Sequence, residues 1–168
     1  MQLTRYLKPN LIKLRLETPF EPAPPEGVHP GQWLTNVKES VLEELCELLN
    51  RSGKIGSPSK LLTDLIHRER KATTALGDGI AIPHVRTLQA KSFVLGFVRH
   101  NPGVPFDAPG GEPVRMFFPM VAPPYDDALY LKVFAHLAWF LKTAEHREKL
   151  LAAEDEHQVI RILSARPS

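Results

Sequence analysis

The first half of the chain alternates stretches with strand-like and helix-like spacing of apolar residues. Residues 11–16 alternate apolar and charged positions, which is typical of a half-buried strand. A first helix is predicted after Asn36, which can cap it, and a second from Ser57-Pro58 to about Lys71. Residues 17–32, between that strand and the first helix, carry five prolines and are predicted to form an extended surface loop.

The middle of the chain is predicted to supply two buried strands. Residues 93–98 and 114–122 are apolar runs of strand length, separated by a loop at residues 101–113 that is rich in glycine and proline. Pro119 indicates a bulge or an edge in the second of these strands, because proline cannot donate to a sheet ladder.

Helices dominate the last third of the pattern. A long helix to about residue 142 is predicted, capped by Asp126 or Asp127. Leu131 and Phe134 widen its apolar face, so we expect this helix to be largely buried. Helices and strands interleave without a regular repeat, which predicts an α/β or α+β fold with a mixed sheet. Two shorter helices complete the pattern, at residues 145–153 and 156–163.

Composition is that of an ordinary globular domain, with 43% hydrophobic and 24% charged residues. A length of 168 residues suits one domain over residues 1–168. The 21 basic and 19 acidic residues nearly balance, so neither nucleic acid nor an anionic membrane is predicted as a partner. The single cysteine, Cys46, excludes a disulfide framework and is expected in the core. The chain shows neither a signal-peptide pattern nor a membrane-spanning apolar run, so we expect a cytoplasmic protein.

The segment from Gly77 to Arg86 holds the most informative chemistry. Its apolar residues 80–82 predict a short buried strand that Pro83 must end, because proline offers no N–H. His84 is then expected at the mouth of a sheet, where an imidazole is poised between its protonation states near neutral pH. The alternative is a purely structural segment that only terminates a strand.

Several enzyme signatures are missing from the sequence. It has no Gly-x-Ser-x-Gly elbow, Walker A loop or His-Glu-x-x-His motif, and the other histidines lack metal-ligand spacing, so no metal site is predicted. A histidine that accepts a phosphoryl group needs donors for the incoming anion. Hydroxyl and guanidinium groups of this kind lie near His84 in the sequence, at Thr73, Thr74, Arg68, Arg70 and Arg86.

This region resembles a known family. Arg68-Glu69, together with the run from Thr73 to the Ala-Ile-Pro-His core that ends at His84, is similar to fructose/mannitol-type enzyme IIA domains of the bacterial phosphoenolpyruvate phosphotransferase system. The resemblance is strongest to the nitrogen-regulatory branch, and the order of elements agrees over essentially the whole chain. It implies a mixed β-sheet flanked by helices on both faces.

The resemblance also implies roles for particular residues. His84 would accept a phosphoryl group from a histidine phosphocarrier protein, with no cofactor. Arg68 would bind the phosphoryl oxygens, Thr74 would help orient the site, and Asp78 matches an acidic position beside the histidine in mannitol-type members. The protein would be a phosphocarrier that acts on a regulated protein or on a membrane transport subunit. Whether it qualifies as an enzyme stays open.

Two features depart from the family pattern. The proline-rich segment 17–32 is longer than the usual passage from first strand to first helix, and Tyr130 stands where the family commonly has a second histidine. A tyrosine hydroxyl can donate a hydrogen bond but, with a pKa of ~10, it brings no positive charge. We therefore expect transfer to be weakened by about fivefold rather than abolished.

Three other functions remain open from the sequence. A sugar-transport enzyme IIA component could pass the group to a separate membrane subunit, although the absence of a linker to such a domain favours regulation. A binding module that has lost phosphotransfer is motivated by Tyr130. A small-molecule hydrolase with His84 as base is the weakest, because no partnered nucleophile or metal site is evident.

Overall fold

We describe residues 2–164 of a computed structural model, in which α-helices pack against two β-sheets. The helices are α1 (Pro30–Asn50), α2 (Pro58–Lys71), α3 (Asp127–Phe140), α4 (Ala144–Ala152) and α5 (Glu156–Leu163). The strands are β1 (Ile12–Lys13), β2 (Ala75–Gly77), β3 (Ile80–Ala81), β4 (His84–Arg86), β5 (Val94–Leu95), β6 (Phe97–Val104), β7 (Val114–Phe117) and β8 (Met120–Ala122). No helix within these residues is long and apolar enough to cross a membrane.

Both sheets are mixed, and two segments of the chain pass through both of them: residues 80–86 form β3 and then β4, and residues 114–122 form β7 and then β8. The five-stranded sheet has the order β1-β6-β7-β3-β2, and the three-stranded sheet has the order β4-β8-β5. Ile80 pairs with Met116 in the first sheet and His84 pairs with Met120 in the second, in parallel and with the same offset. Pro83 lies between β3 and β4, and Pro119 lies between β7 and β8. Because the offset of the pairing is the same on both sides of these prolines, β4 continues in the direction of β3.

Alternate residues of the central strands face two separate apolar clusters. Ile80 and Met116 join a cluster that includes buried residues of α3, α4 and α5. Ala81 and Phe117, one position further along, join a second cluster with the inner face of α1. Helices therefore cover both faces of a mixed sheet, as predicted. Burial of a side chain such as Phe117 stabilises the fold by roughly 1.5–3 kcal/mol.

The start of the first helix differs from the prediction. α1 begins at Pro30 rather than after Asn36, and His29 caps it by accepting a hydrogen bond from Gly31 N–H at 2.9 Å on Nδ1. Proline at the first helical position is tolerated, because that N–H has no partner inside the helix. The proline-rich loop thus ends at residue 29, and the first strand is only Ile12–Lys13.

The loop is fixed at both ends to α1. Glu44, buried on α1, accepts hydrogen bonds from Thr18 N–H at 2.7 Å and from Lys13 Nζ at 3.0 Å. Trp33 Nε1 donates to the carbonyl of Glu21 at 2.8 Å. The same helix buries Cys46, and burial raises the pKa of its thiol to about 11, in keeping with the predicted core position.

Both long apolar runs of the middle region are split strands. The run at 93–98 breaks at Gly96, whose N–H donates to the carbonyl of Pro119 at 2.9 Å, and β6 then continues to Val104. The run at 114–122 breaks at Phe118-Pro119. The expected loop at 101–113 is therefore strand up to Val104.

α3 is less buried than its composition suggests. Asp126 caps it as predicted, by accepting a hydrogen bond from Leu129 N–H at 3.3 Å. Val133 and Leu137 face the core, whereas Leu131 is 62% exposed and Trp139 is 47% exposed. The prediction of a largely buried helix is wrong, because one stripe of α3 is enough to cover the sheet.

Candidate functional site

His84 is the first residue of β4, the edge strand of the three-stranded sheet. Its half-buried side chain lies between α2 and α3, where it contacts Arg68 of α2 and Tyr130 of α3. The sequence predicted that the histidine follows the end of a strand, whereas in the structure it begins one. Pro83 separates β3 from β4, and the direction that the chain keeps from β3 places the imidazole between the two helices.

The hydrogen bonds of His84 define its tautomer. Nδ1 lies 2.5 Å from the carbonyl oxygen of Ile82, and Nε2 lies 3.5 Å from Nη2 of Arg68. A carbonyl only accepts hydrogen bonds, so Nδ1 carries the proton and donates it. The lone pair of the neutral ring is then on Nε2, beside the guanidinium.

Burial lowers the pKa of His84 below its usual value. The bond to the Ile82 carbonyl raises this pKa, the positive charge of Arg68 lowers it, and the negative charge of Glu69 raises it. The net shift is downward, because burial disfavours the charged ring more than the Ile82 bond and Glu69 stabilise it. The imidazole is therefore neutral at pH 7, the form that a nucleophile requires.

The last turn of α2 holds Arg68 in place. Its Nη1 donates to the carbonyl of Ala72 at 2.9 Å, just beyond the end of the helix. Nη2 is directed at Nε2 of His84. A guanidinium that already has one N–H bound to the backbone presents its other N–H groups with little loss of side-chain entropy.

Two aromatic rings from α3 enclose the imidazole. The ring centroids of Tyr130 and Phe134 lie 5.5 and 5.3 Å from that of His84, and Phe134 meets it edge-on. Arg86 lies over the Tyr130 ring, with its guanidinium carbon 5.8 Å from the ring centroid. Burial raises the pKa of Tyr130, while Arg68 and Arg86 lower it, and the net shift is upward. The Tyr130 hydroxyl thus stays protonated at neutral pH.

Comparison with known proteins identifies the family. Residues 33–166 match the family described as "Phosphoenolpyruvate-dependent sugar phosphotransferase system, EIIA 2". The chain belongs to this family. The segment that holds Arg68, His84 and Tyr130 lies inside the matched range, so the resemblance predicted from residues 68–84 is confirmed.

The relatives of this enzyme IIA chain include nitrogen regulatory proteins and components of sugar phosphotransferase systems. A nitrogen regulatory protein of Pseudomonas aeruginosa is 30% identical over 138 residues, which cover 80% of this chain and 90% of that protein. The fructose-specific EIIABC component of Bacillus subtilis is 27% identical over 164 residues, but this chain spans only 23% of its length. The crystal structure of nitrogen regulatory protein IIA-Ntr from Neisseria meningitidis aligns with a TM-score of 0.80 at 28% identity, over 97% of this chain and 99% of that one.

The fold does not bring all predicted site residues of this enzyme IIA chain together. Arg68 and Tyr130 contact His84, but the Thr74 hydroxyl is buried and donates to the Glu69 carboxylate at 2.5 Å. Asp78 lies in the turn before β3, with its carboxylate 3.9 Å from Arg147. Five residues lie between Asp78 and His84, and β3 and β4 run on from the turn in one direction. Asp78 is therefore at the opposite end of this run from the imidazole.

Three contributors to the site lacked a predicted role. Phe134 follows Tyr130 by one helical turn, so helical spacing places it beside the same ring. Glu69 was visible in the sequence beside Arg68, but its buried position was not. The Ile82 carbonyl has no signal in the sequence, because any residue type supplies the same oxygen.

A groove rich in basic groups lies between α2 and the end of β4 and shares Arg68 with the site. Arg68 and Arg86 line it together with Lys60, His67 and Lys71, and one carboxylate, that of Asp64, also lines it. Within residues 2–164, no three histidine, cysteine, aspartate or glutamate side chains are grouped as a metal ion would need. The arrangement suits an anion that is held by guanidinium and ammonium groups next to a neutral imidazole.

Proposed function

We propose that this enzyme IIA chain accepts a phosphoryl group on Nε2 of His84 from the phosphohistidine of a histidine phosphocarrier protein. The observation that carries the proposal is the pair of contacts made by the ring nitrogens. Nδ1–H is bound to the Ile82 carbonyl, and the lone pair of Nε2 is directed at the Arg68 guanidinium, 3.5 Å away. Attack by Nε2 and binding of the phosphoryl oxygens by the Arg68 guanidinium are thus supported side by side.

The transfer step balances without an external acid or base. The Nε2 lone pair of neutral His84 forms the new N–P bond, and the N–P bond of the donor phosphohistidine breaks. Its electron pair stays on the donor ring, which becomes a neutral imidazole if its other nitrogen carried a proton. His84 then carries the phosphoryl group on Nε2 and keeps its proton on Nδ1. The Ile82 carbonyl, 2.5 Å from Nδ1, stabilises the positive charge that the ring acquires.

The basic groove supports a role for a second protein in this step. A phosphoryl donor with negative charges around its own histidine would meet Lys60, Lys71 and Arg68 on approach. Opposite charges of this kind raise association rates and make them sensitive to salt. The donor is expected to be a cytoplasmic phosphocarrier, so we place this chain in the cytoplasm with it.

A regulatory role is better supported than transport. The structure of nitrogen regulatory protein IIA-Ntr aligns with this chain over nearly the whole length of both, at a TM-score of 0.80. Length alone does not separate the two roles, because a fructose-specific EIIA component of Haloferax volcanii is matched over 82% of its length and the nitrogen regulatory protein of Pseudomonas aeruginosa over 90%. The sugar-transport alternative requires a separate membrane subunit to take the phosphoryl group from His84. Both alternatives share the same first step, phosphorylation of His84.

The test is to locate the phosphoryl group. The purified full-length chain is incubated with phosphoenolpyruvate, enzyme I and a histidine phosphocarrier protein from a bacterial phosphotransferase system. Peptide mass spectrometry is expected to place one acid-labile phosphoryl group on His84, and nitrogen chemical shifts are expected to place it on Nε2. A protein that takes no label from an active donor, or takes it at another residue, contradicts the proposal.

The second candidate is a binding module without phosphotransfer, and Tyr130 and Phe134 favour it. Both rings pack against His84, and the described polar contacts of the imidazole nitrogens involve Arg68 and Ile82 rather than Tyr130. A Tyr130→His substitution separates the two functions. If phosphotransfer operates, a second imidazole is expected to raise the phosphorylation rate about fivefold, because a charged donor contributes about 1 kcal/mol more than a neutral one.

Tyr130→Phe is the matched control for that substitution. It keeps the ring that contacts His84 and removes only the hydroxyl, so the rate is expected to fall about fivefold, because a neutral hydrogen bond contributes about 1 kcal/mol. Initial rates are measured with the same phosphorylated donor for all three proteins. Equal rates for native and Tyr130→His, in proteins of equal stability, would contradict the expected gain and favour the binding module.

A further inference from the structure

Glu69 is a buried carboxylate that lies one residue beyond Arg68 on α2. Only 5% of the residue is exposed. Its oxygens accept hydrogen bonds from Thr74 N–H at 2.7 Å and from the Thr74 hydroxyl at 2.5 Å. Lys38 of α1 places its ammonium 3.2 Å away, also in a largely buried position. The carboxylate therefore connects α1, the end of α2 and the entry to β2.

A line of backbone contacts leads from this carboxylate to the imidazole. Glu69 binds both the N–H and the side chain of Thr74, and the carbonyl of Thr74 accepts the N–H of Ile82 at 3.0 Å. The carbonyl of Ile82 in turn accepts Nδ1–H of His84. Ile82, whose carbonyl sets the tautomer of the imidazole, is thus anchored through its own N–H to Thr74, which Glu69 holds.

The same connection holds the guanidinium. Arg68 donates to the carbonyl of Ala72, which lies between the end of α2 and Thr74. Glu69 fixes both ends of this short segment, because it belongs to the last turn of α2 and binds Thr74 beyond it. Displacement of the segment would move the phosphoryl-binding N–H groups and the Ile82 carbonyl together.

We propose that Glu69 is a positioning residue of the phosphoryl site, which holds Arg68 and the proton-bearing Nδ1 of His84 in the geometry that transfer requires. This inference rests on the proposed function. A misplacement of about 1 Å at a reacting centre can reduce a rate 100-fold, so a residue that fixes both partners has a large effect without touching the phosphoryl group.

A purely structural role is the alternative, and Glu44 provides the comparison. Glu44 is also 5% exposed, pairs with a largely buried lysine, Lys13, and accepts both the N–H and the hydroxyl of a threonine, Thr18. It anchors the proline-rich loop and makes no connection to Ile82 or His84. The two carboxylates are therefore alike in burial and in the kinds of groups that they bind. They differ because only Glu69 is linked, through Thr74 and Ile82, to His84.

Electrostatics distinguishes them in the same way. Among the described residues, Arg68 and Glu69 of α2 act electrostatically on His84, Tyr130 of α3 packs against its ring, and Arg86 of β4 lies over the Tyr130 ring. The negative charge of Glu69 raises the pKa of His84. Glu44 instead raises the pKa of His100, which burial and Arg15 lower. The pKa of His84 therefore responds to the charge of Glu69, and the pKa of His100 responds to the charge of Glu44.

The test compares Glu69→Gln with Glu44→Gln in the full-length chain. Phosphoramidate serves as the phosphoryl donor, because it releases only ammonia and needs no protein docking. Glu69→Gln is expected to slow phosphorylation of His84 roughly tenfold. Nitrogen NMR is expected to show a lower pKa for His84 and a smaller fraction of its Nδ1–H tautomer, with His100 unchanged. Glu44→Gln is expected to lower the pKa of His100 and leave the rate and His84 unchanged.

Equal phosphorylation rates and an unchanged His84 titration in Glu69→Gln would overturn the proposal. So would equal losses of rate in both variants, since that result indicates a general effect of losing a buried carboxylate. If the native protein takes no label from any donor, the proposed function fails, while the tautomer and titration of His84 still decide whether Glu69 positions it.

Thr74→Val is a second variant in case Glu69→Gln does not fold. It preserves side-chain volume and the backbone N–H bond to Glu69 but removes the hydroxyl donor. A rate loss of about threefold with a reduced Nδ1–H fraction at His84 is expected. A Thr74→Val protein with native rate and native tautomer would contradict the connection from Glu69 through Thr74.

Discussion

Arg68→Ala is expected to slow phosphorylation of His84 about 100-fold. The guanidinium lies 3.5 Å from Nε2, and loss of one charged donor for developing negative charge typically costs about 3 kcal/mol in the transition state. Arg68→Lys is expected to recover part of the rate, because an ammonium restores the charge but not the fork that binds both Ala72 and the phosphoryl group. Initial rates with one phosphorylated donor protein measure the effect.

Arg70→Ala is the matched control for this prediction. Arg70 lies two positions along the same helix and pairs with Glu39, with its side chain 60% exposed. Its removal takes away the same charge from α2 without changing the contacts of His84, so the rate is expected to change less than twofold. A similar loss in Arg68→Ala and Arg70→Ala would show that net charge, rather than the position of the guanidinium, controls transfer.

Gly103→Ala is expected to destabilise the fold by about 2–4 kcal/mol. Gly103 has a φ of +92° near the end of β6, and an added Cβ would lie 2.5 Å from Cβ of Pro113. Positive φ costs an alanine about 1 kcal/mol, and overpacking against a rigid ring adds roughly 1–3 kcal/mol. For a chain of this size the midpoint of thermal unfolding is expected to fall by roughly 6–12 °C.

Gly53→Ala separates the two contributions to that loss. Gly53 also has a positive φ, +73°, but an added Cβ would have no atom within 4 Å. Its substitution is expected to cost only the backbone strain, about 1 kcal/mol. Calorimetry of both variants gives the difference that is due to Pro113. Equal losses of unfolding free energy in the two proteins would contradict the prediction, because they would mean that Pro113 moves aside for the added Cβ with no loss of stability.

Local rules predicted the parts of the fold that local chemistry controls. Ser57 and Asp126 cap α2 and α3 as expected, and α2 and α5 have the bounds that their patterns indicate. The start of α1 was missed because His29-Pro30 follows several prolines, where a turn and a helix start have the same residue preferences. The exposed face of α3 was missed because burial depends on which stripe meets the sheet, and sequence alone does not give that orientation.

The site was predictable in its chemistry and less so in its geometry. The need of a nucleophilic imidazole for an anion binder left three arginines open, Arg68, Arg70 and Arg86. The family resemblance selected Arg68, and α2 does bring it to His84. Asp78 was selected by similarity of position, but an extended chain carries it away from the imidazole. The contact of Ile82 with His84 is made by a backbone carbonyl, which every residue type has. The proposed role of Glu69 depends on its burial, which its residue type does not predict.

The bond between Nδ1 of His84 and the Ile82 carbonyl also bears on how long a phosphorylated molecule lasts. A phosphoimidazole that keeps a proton on its second nitrogen has a good leaving group, so its phosphoryl group departs readily. If His84 carries the phosphoryl group as proposed, the carbonyl would stabilise that proton, which would keep the phosphorylated form reactive and its half-life short. Such a molecule would report the recent supply of phosphoryl donors rather than store it, in keeping with the proposed regulatory role.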